Sequence, residues 1–402
     1  MIEDKLKEIL QGIDDITKSK YSNENHVGVL VGLSGLSLFQ FHYSRYKGNN
    51  EHSAIGTEIL ERIMGKINEG YNYPTFCDGI CGAGWVLSHL DEKGFIELEN
   101  EQLLADLDDF LYPIMVSDMR RKNYDFLHGA IGYALYFVNR YKNTKSKDLK
   151  QRYKTFLLRF IDLLNENSET EGNEKLKWIS IQTRGELRDQ YNLSLSHGMA
   201  GIIGILTKLC VHDNFRTLAK PMLTKAINYV LGYKKETKSF FLFPNLVSKN
   251  GEENVPSRLG WCYGDLGIGI RLWFASKALD DKILGDEALA ILKHSAKRRT
   301  PEKTLLVDAS LCHGSYGVAL IFLRIYKETL DPIFKEAFEF WIQDGVNRAV
   351  QGNGYAGYKQ WRHDDVWSEE VSLLEGISGI GLTIIDYLAD FDTAWDECLM
   401  IS

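Results

Sequence analysis

The stretch that decides the fold is Gly260-Trp-Cys-Tyr-Gly-Asp-Leu-Gly-Ile-Gly269. Cys262 stands two residues before a Gly-x-x-Gly turn, Gly264 to Gly267. About fifty residues on, the pattern returns as Leu311-Cys-His-Gly-Ser-Tyr-Gly317, with Cys312 and His313 before the first glycine. Working outward, the same turn is found at 32/35, 79/82, 129/132, 198/201 and 376/379. Chance alone gives roughly three such pairs in a chain this rich in glycine, so the context matters more than the pair. Apolar runs follow the turns, as in Tyr133-Ala-Leu-Tyr136, Val318-Ala-Leu-Ile321 and Ile380-Gly-Leu-Thr-Ile384. Spacings of about fifty to seventy residues leave room for two helices and their loops in each unit.

Between the turns the apolar residues follow a helical period. Ile2, Leu6, Ile9, Ile13 and Ile16 make one stripe, and Ile55, Ile59, Ile63 and Ile67 another. Asp331-Pro332 opens a third helix with a capping aspartate and a proline at the first helical position. The pattern predicts an all-α fold of seven helical hairpins, an α/α toroid with inner and outer helix rings. The chain reads as one domain over 1–402. The glycine turns would then gather at one end, where the inner helices' positive dipole ends also point. Two longer connections, 168–195 and 236–260, lead into candidate site turns. Trp178 to Arg184 in the first is strand-like.

Composition is that of a globular protein, 44% hydrophobic and 25% charged. A net charge of -8 argues against a general nucleic-acid binder. No run of eighteen apolar residues and no signal peptide is read, so the protein is expected in the cytoplasm, meeting a membrane only through a complex. Six cysteines are sparse and do not look like a disulfide framework.

Cys262, Cys312 and His313 are good ligands for one zinc ion, with a fourth position left open. Two thiolates make a soft site suited to a third thiolate. His197 stands one residue before Gly198, the offset of His313, and an imidazole there can move protons. Asp125 can orient His197 or simply cap a helix. His128 is a second possible partner for His197. Arg258 can hold an oxyanion or stay solvated, and Tyr263 can donate a proton or pack. Cys77 and Cys81 read as structural. Tyr355, Tyr358, Trp361 and Trp367, beside Arg362, His363, Asp364 and Asp365, read as a peptide-binding rim or as ordinary loop packing.

These motifs resemble the lanthionine synthetase C family, the lanthipeptide cyclases. The family's Trp-Cys-Tyr-Gly and Cys-His-Gly motifs stand as Trp261-Cys-Tyr-Gly264 and Cys312-His-Gly314. Its Ser-His-Gly-x-x-Gly and Leu-Glu-Gly-x-x-Gly turns stand as Ser196-His-Gly-Met-Ala-Gly201 and Leu374-Glu-Gly-Ile-Ser-Gly379. The resemblance implies an α,α-toroid with Zn2+ on Cys262, Cys312 and His313. It implies addition of a peptide cysteine to a dehydroalanine or dehydrobutyrine, giving thioether rings in lanthipeptide antibiotic biosynthesis. Asp125, His197, Arg258 and Tyr263 match family positions implicated in proton handling. The implied partners are a dehydrated precursor peptide and a dehydratase. The competing readings are glutathione addition to dehydroamino acids in proteins and a non-catalytic zinc-bearing scaffold. A glycoside hydrolase on an α/α barrel would need paired carboxylates, for which Asp78, Asp125, Asp265 and Glu375 are candidates.

Overall fold

A computed structural model describes residues 2–98, 102–182, 186–187, 190–254, 256–362 and 366–402. Thr183, Arg184, His363, Asp364 and Asp365 lie outside the described residues. Fifteen α-helices run in chain order among the described residues. The first five are α1 (Ile2–Lys20), α2 (Leu33–Lys47), α3 (Glu51–Asn68), α4 (Ile80–Glu92) and α5 (Gln102–Arg120). Next come α6 (Ala130–Asn143), α7 (Lys147–Glu166), α8 (Met199–Cys210), α9 (Asp213–Leu231) and α10 (Asp265–Leu279). The last are α11 (Lys282–Ser295), α12 (Pro301–Thr304), α13 (Ser315–Thr329), α14 (Pro332–Asn347) and α15 (Ile377–Leu388). None of them is long and apolar enough to cross a membrane.

The chain forms two compact units, Met1–Ile96 with Leu306–Ser402, and Glu97–Leu305. In each, apolar helices that follow a glycine turn alternate with amphipathic ones. Every residue of α6 from Ala130 to Tyr141 is buried. The following α7 buries only a stripe that includes Tyr153, Phe156, Leu157, Phe160 and Ile161. An all-round buried helix and a one-stripe helix are what an inner and an outer layer require. The tightest pairs join an inner helix to the outer helix after it: α2 with α3, α8 with α9, α10 with α11, and α13 with α14. Links of only two or three residues force these pairs to lie antiparallel. Asp331 caps α14 by accepting from the Ile333 N–H at 3.1 Å, as its sequence predicts.

Glycine is required at the turns for two reasons. Gly264 has φ +91°, which a side chain tolerates poorly. A Cβ on Gly267 would lie 2.4 Å from the Trp261 carbonyl oxygen. The chain before the turn thus presses directly on the first turn of the helix.

Backbone bonds join neighbouring turns close to the residue two before the first glycine. In the Glu97–Leu305 unit, the Phe126 N–H donates to the Ser196 carbonyl at 3.3 Å. The Leu195 and Ser196 N–H groups donate to the Cys262 carbonyl at 3.0 and 3.4 Å. In the other unit, Cys312 N–H donates to Leu374 at 3.0 Å, Leu374 to Leu30 at 2.9 Å, and Leu30 to Cys77 at 3.0 Å.

The strands are short. A hairpin joins β1 (Glu169–Glu171) to β2 (Lys175–Lys177), and a second joins β3 (Ile181–Gln182) to β4 (Glu186–Leu187). The antiparallel sheet of β5 (Gln190–Asn192), β6 (Leu246–Ser248) and β7 (Glu253–Asn254) pairs Asn192 with Leu246. The two long connections therefore hold each other. A last hairpin pairs Trp361 of β8 (Gln360–Trp361) with Trp367 of β9 (Trp367–Ser368).

One buried ion pair locks the second connection beside its turn. Asp265, the first residue of α10, is fully buried. Its carboxylate accepts from the Leu242 and Phe243 N–H groups, each at 3.0 Å, and from Arg298 Nη1 at 3.0 Å. Arg298 also donates through Nη2 to the Ser257 carbonyl at 2.9 Å and through Nε to the Lys303 carbonyl at 2.7 Å. Asp265 is thus spent on structure and cannot serve as half of a hydrolytic carboxylate pair. Arg298→Met is expected to cost about 3–5 kcal/mol, because it strands a buried carboxylate without its counter-charge. Urea unfolding of the variant measures this directly.

Candidate active site

The Glu97–Leu305 unit carries five of the sequence-predicted residues, Asp125, His197, Arg258, Cys262 and Tyr263, on or just before three turns. Asp125 sits on the turn before α6. Its Oδ1 accepts from the Leu127 N–H at 2.7 Å and the His128 N–H at 2.8 Å. Its Oδ2 lies 2.5 Å from His197 Nδ1, on the turn before α8. Asp125 is therefore both a turn cap and the histidine's partner. His128, the other candidate partner, is exposed.

The pair sets the state of the imidazole. Burial draws His197 down, but the Asp125 charge and hydrogen bond more than reverse this, so it titrates above its ordinary value. Burial pushes Asp125 up, and His197 with the His128 N–H pulls it down to a net value below the usual range. When neutral, the ring keeps its proton on Nδ1, facing the carboxylate, and leaves Nε2 as the acceptor. Such a nitrogen can take a proton and return it.

The third turn carries Cys262, which is buried, and Tyr263, which is half-buried. The Tyr263 ring centroid lies 6.0 Å from that of His197. Burial raises the Tyr263 phenol above its ordinary value, so it keeps its proton at neutral pH. Trp261, also buried, meets Phe126 at 6.3 Å between ring centroids and so braces the Asp125 turn against the Cys262 turn. Arg258 is half-buried, and its guanidinium makes no ion pair or hydrogen bond among the described residues.

Cys312 and His313 occupy the corresponding turn before α13 in the other unit, both half-buried. His313 Nε2 lies 3.8 Å from Oδ2 of Asp308, a fully buried carboxylate that also accepts from the Trp361 N–H at 3.1 Å. Cys77 and Cys81 are buried.

The family model described as lanthionine synthetase C-like protein matches residues 23–400. The chain belongs to the lanthionine synthetase C-like family. It is 21% identical over 428 residues to the nisin biosynthesis protein NisC of Lactococcus lactis subsp. lactis, covering all of this chain and 95% of that one. It is 24% identical over 315 residues to the glutathione S-transferase LANCL1 of Danio rerio, covering 75% of this chain and 70% of the relative. The solved structure of nisin cyclase superposes with a TM-score of 0.71 at 18% identity, over the whole of this chain and 97% of that one. The fold class is accordingly the all-α toroid type that the sequence predicts.

Sequence reasoning passed over Asn192, Ser194 and Asp308, which bond directly to site residues or their turns. A signal existed for two of them. Asn192 and Asp308 stand six residues before the first glycine of their turns, the offset that Arg258 holds in its own.

The dyad makes a signed prediction for this member of the family. Asp125 raises the His197 pKa, so Asp125→Asn is expected to lower it. In an NMR titration of the His197 Cε1–H, the midpoint should move to lower pH in the variant. A midpoint that stays put would detach the carboxylate from the imidazole.

Proposed function

We propose that this protein is a zinc-dependent lanthipeptide cyclase. It adds cysteine thiols of a peptide to dehydroalanine or dehydrobutyrine residues of the same peptide, forming lanthionine and methyllanthionine thioether rings. The observation that carries the reading is the Asp125–His197 pair, 2.5 Å apart, on the turn whose backbone bonds to that of Cys262. The names of the relatives, a nisin biosynthesis protein and nisin cyclase, support the same class.

The residues suit zinc. Cys262, Cys312 and His313 would hold it, a donor set of two thiols and one imidazole that leaves a position open. The Asp308 carboxylate lies 3.8 Å from His313 Nε2, a charge of the sign that favours the second N–H of a ligand imidazole. Zinc, when bound, keeps a substrate thiol ionised near neutral pH. Around it, His197 accepts the thiol proton, with Asp125 stabilising the resulting imidazolium. Arg258, with no other partner among the described residues, stabilises the negative charge that develops on the peptide carbonyl. Tyr263 stands ready as a donor.

The substrate must arrive with its serine or threonine side chains already dehydrated, so a dehydratase is the partner class that supplies it. A reducing cytoplasm keeps the reacting thiols available.

The test uses a synthetic peptide with one dehydroalanine and one cysteine, incubated with the zinc-loaded protein and glutathione together. Ring formation leaves the mass unchanged and removes one alkylatable thiol. A peptide that instead gains the mass of glutathione would replace the cyclase by the thiol-adding activity named for the second relative. No reaction beyond the protein-free control would leave a binding scaffold.

A further inference from the structure

Asn192 closes strand β5 and is 4% exposed. Its Oδ1 accepts from the Ser194 N–H at 2.8 Å. A backbone N–H faces only an acceptor, so this contact fixes which end of the amide carries the hydrogens. The Nδ2 end therefore donates to the Tyr263 hydroxyl oxygen, 3.1 Å away. An amide NH2 cannot accept, so the phenol must send its own hydrogen elsewhere.

The amide has little freedom to turn away. The Asn192 N–H is itself bonded to Ser180 Oγ at 2.8 Å. A Cβ on Gly198 would lie 2.0 Å from the Asn192 carbonyl oxygen, so the histidine turn closes directly over this residue. Ser194 is also buried, and its Oγ accepts the His197 N–H at 3.0 Å. Asn192 and Ser194 thus tie the tyrosine to the histidine turn.

We propose that Asn192, its amide fixed by the Ser194 N–H, is a positioning residue that holds the Tyr263 hydroxyl as the proton donor for the α-carbon of the reacting peptide. The inference rests on the cyclase reading above and divides its proton work between two groups. His197 takes the thiol proton. The sulfur forms the C–S bond at the β-carbon, and the π pair moves onto the carbonyl as an enolate. Tyr263 gives its proton to the α-carbon as the enolate collapses. The phenolate then regains a proton from the neighbouring imidazolium. The sum is addition of S–H across C=C, with no oxidant or leaving group.

The decisive variant is Asn192→Asp. It keeps the shape and the acceptor for the Ser194 N–H, but it turns the donor to Tyr263 into a charged acceptor for the phenol's own hydrogen. In the zinc-loaded protein carrying ζ-13C tyrosine, the resonance absent from Tyr263→Phe is that of Tyr263. This resonance is expected to move in Asn192→Asp and in Asn192→Leu, while the other tyrosine resonances stay. With the dehydroalanine–cysteine peptide, Asn192→Asp should lower kcat about tenfold with KM unchanged, the scale of one lost hydrogen bond. The double variant Asn192→Asp/Tyr263→Phe should be no slower than Tyr263→Phe alone. A Tyr263 resonance that does not move, or rate losses that add, would overturn the proposal. If the native protein closes no ring, the cyclase reading fails, and the resonance still decides whether Asn192 directs the phenol.

Discussion

Cys312→Ala is expected to strip the protein of its zinc and to end ring formation. Losing even an outer-shell partner of a metal typically costs about 10–100-fold in affinity, and a thiolate ligand is worth more. The loss should therefore survive any practical excess of zinc. Metal analysis after gel filtration measures the first effect, and thiol alkylation followed by mass spectrometry the second. Cys81→Ala is the matched control. Cys81 is fully buried but belongs to no proposed ligand set, so its variant should retain zinc. If Cys312→Ala keeps one zinc per chain, the ligand set proposed here is wrong.

The second large effect is expected at His197. His197→Asn should keep the zinc and still slow ring formation by about 10²–10⁴-fold, the usual contribution of a positioned general acid or base. Asparagine retains a polar group near Asp125 but cannot exchange a proton near neutral pH. The two variants thus separate metal binding from proton transfer. A native rate in His197→Asn would remove the imidazole from the mechanism and shift the proton work to Tyr263 alone.

Much of the fold was legible because helices report themselves locally. The stripe from Leu6 to Ile13 and the Asp331-Pro332 start each need only one turn or two of chain to be read. The glycine turns were legible because they repeat. The sheet of β5, β6 and β7 was not, since strands of two or three residues carry no measurable alternation. Its consequence, Asn192 beside Tyr263, joins positions 71 residues apart. The Asp125–His197 pair spans 72 residues and was foreseen only because both lie at matching ends of repeated units. The Asp265–Arg298 lock was missed for another reason. An aspartate beginning a helix reads as an ordinary cap, and nothing nearby announces a buried guanidinium.

The bonds between neighbouring turns have a consequence for how such a site can change over time. They run through N–H and carbonyl groups alone, and the residues that make them include Leu30, Ser196, Cys262, Cys312 and Leu374. Main-chain groups are the same whatever side chain is attached. The scaffold therefore fixes addresses without dictating what occupies them. Thiol, hydroxyl and hydrocarbon already stand at equivalent addresses in this one chain. New chemistry can be written there one substitution at a time, whereas a single inserted residue would shift every partner along the row.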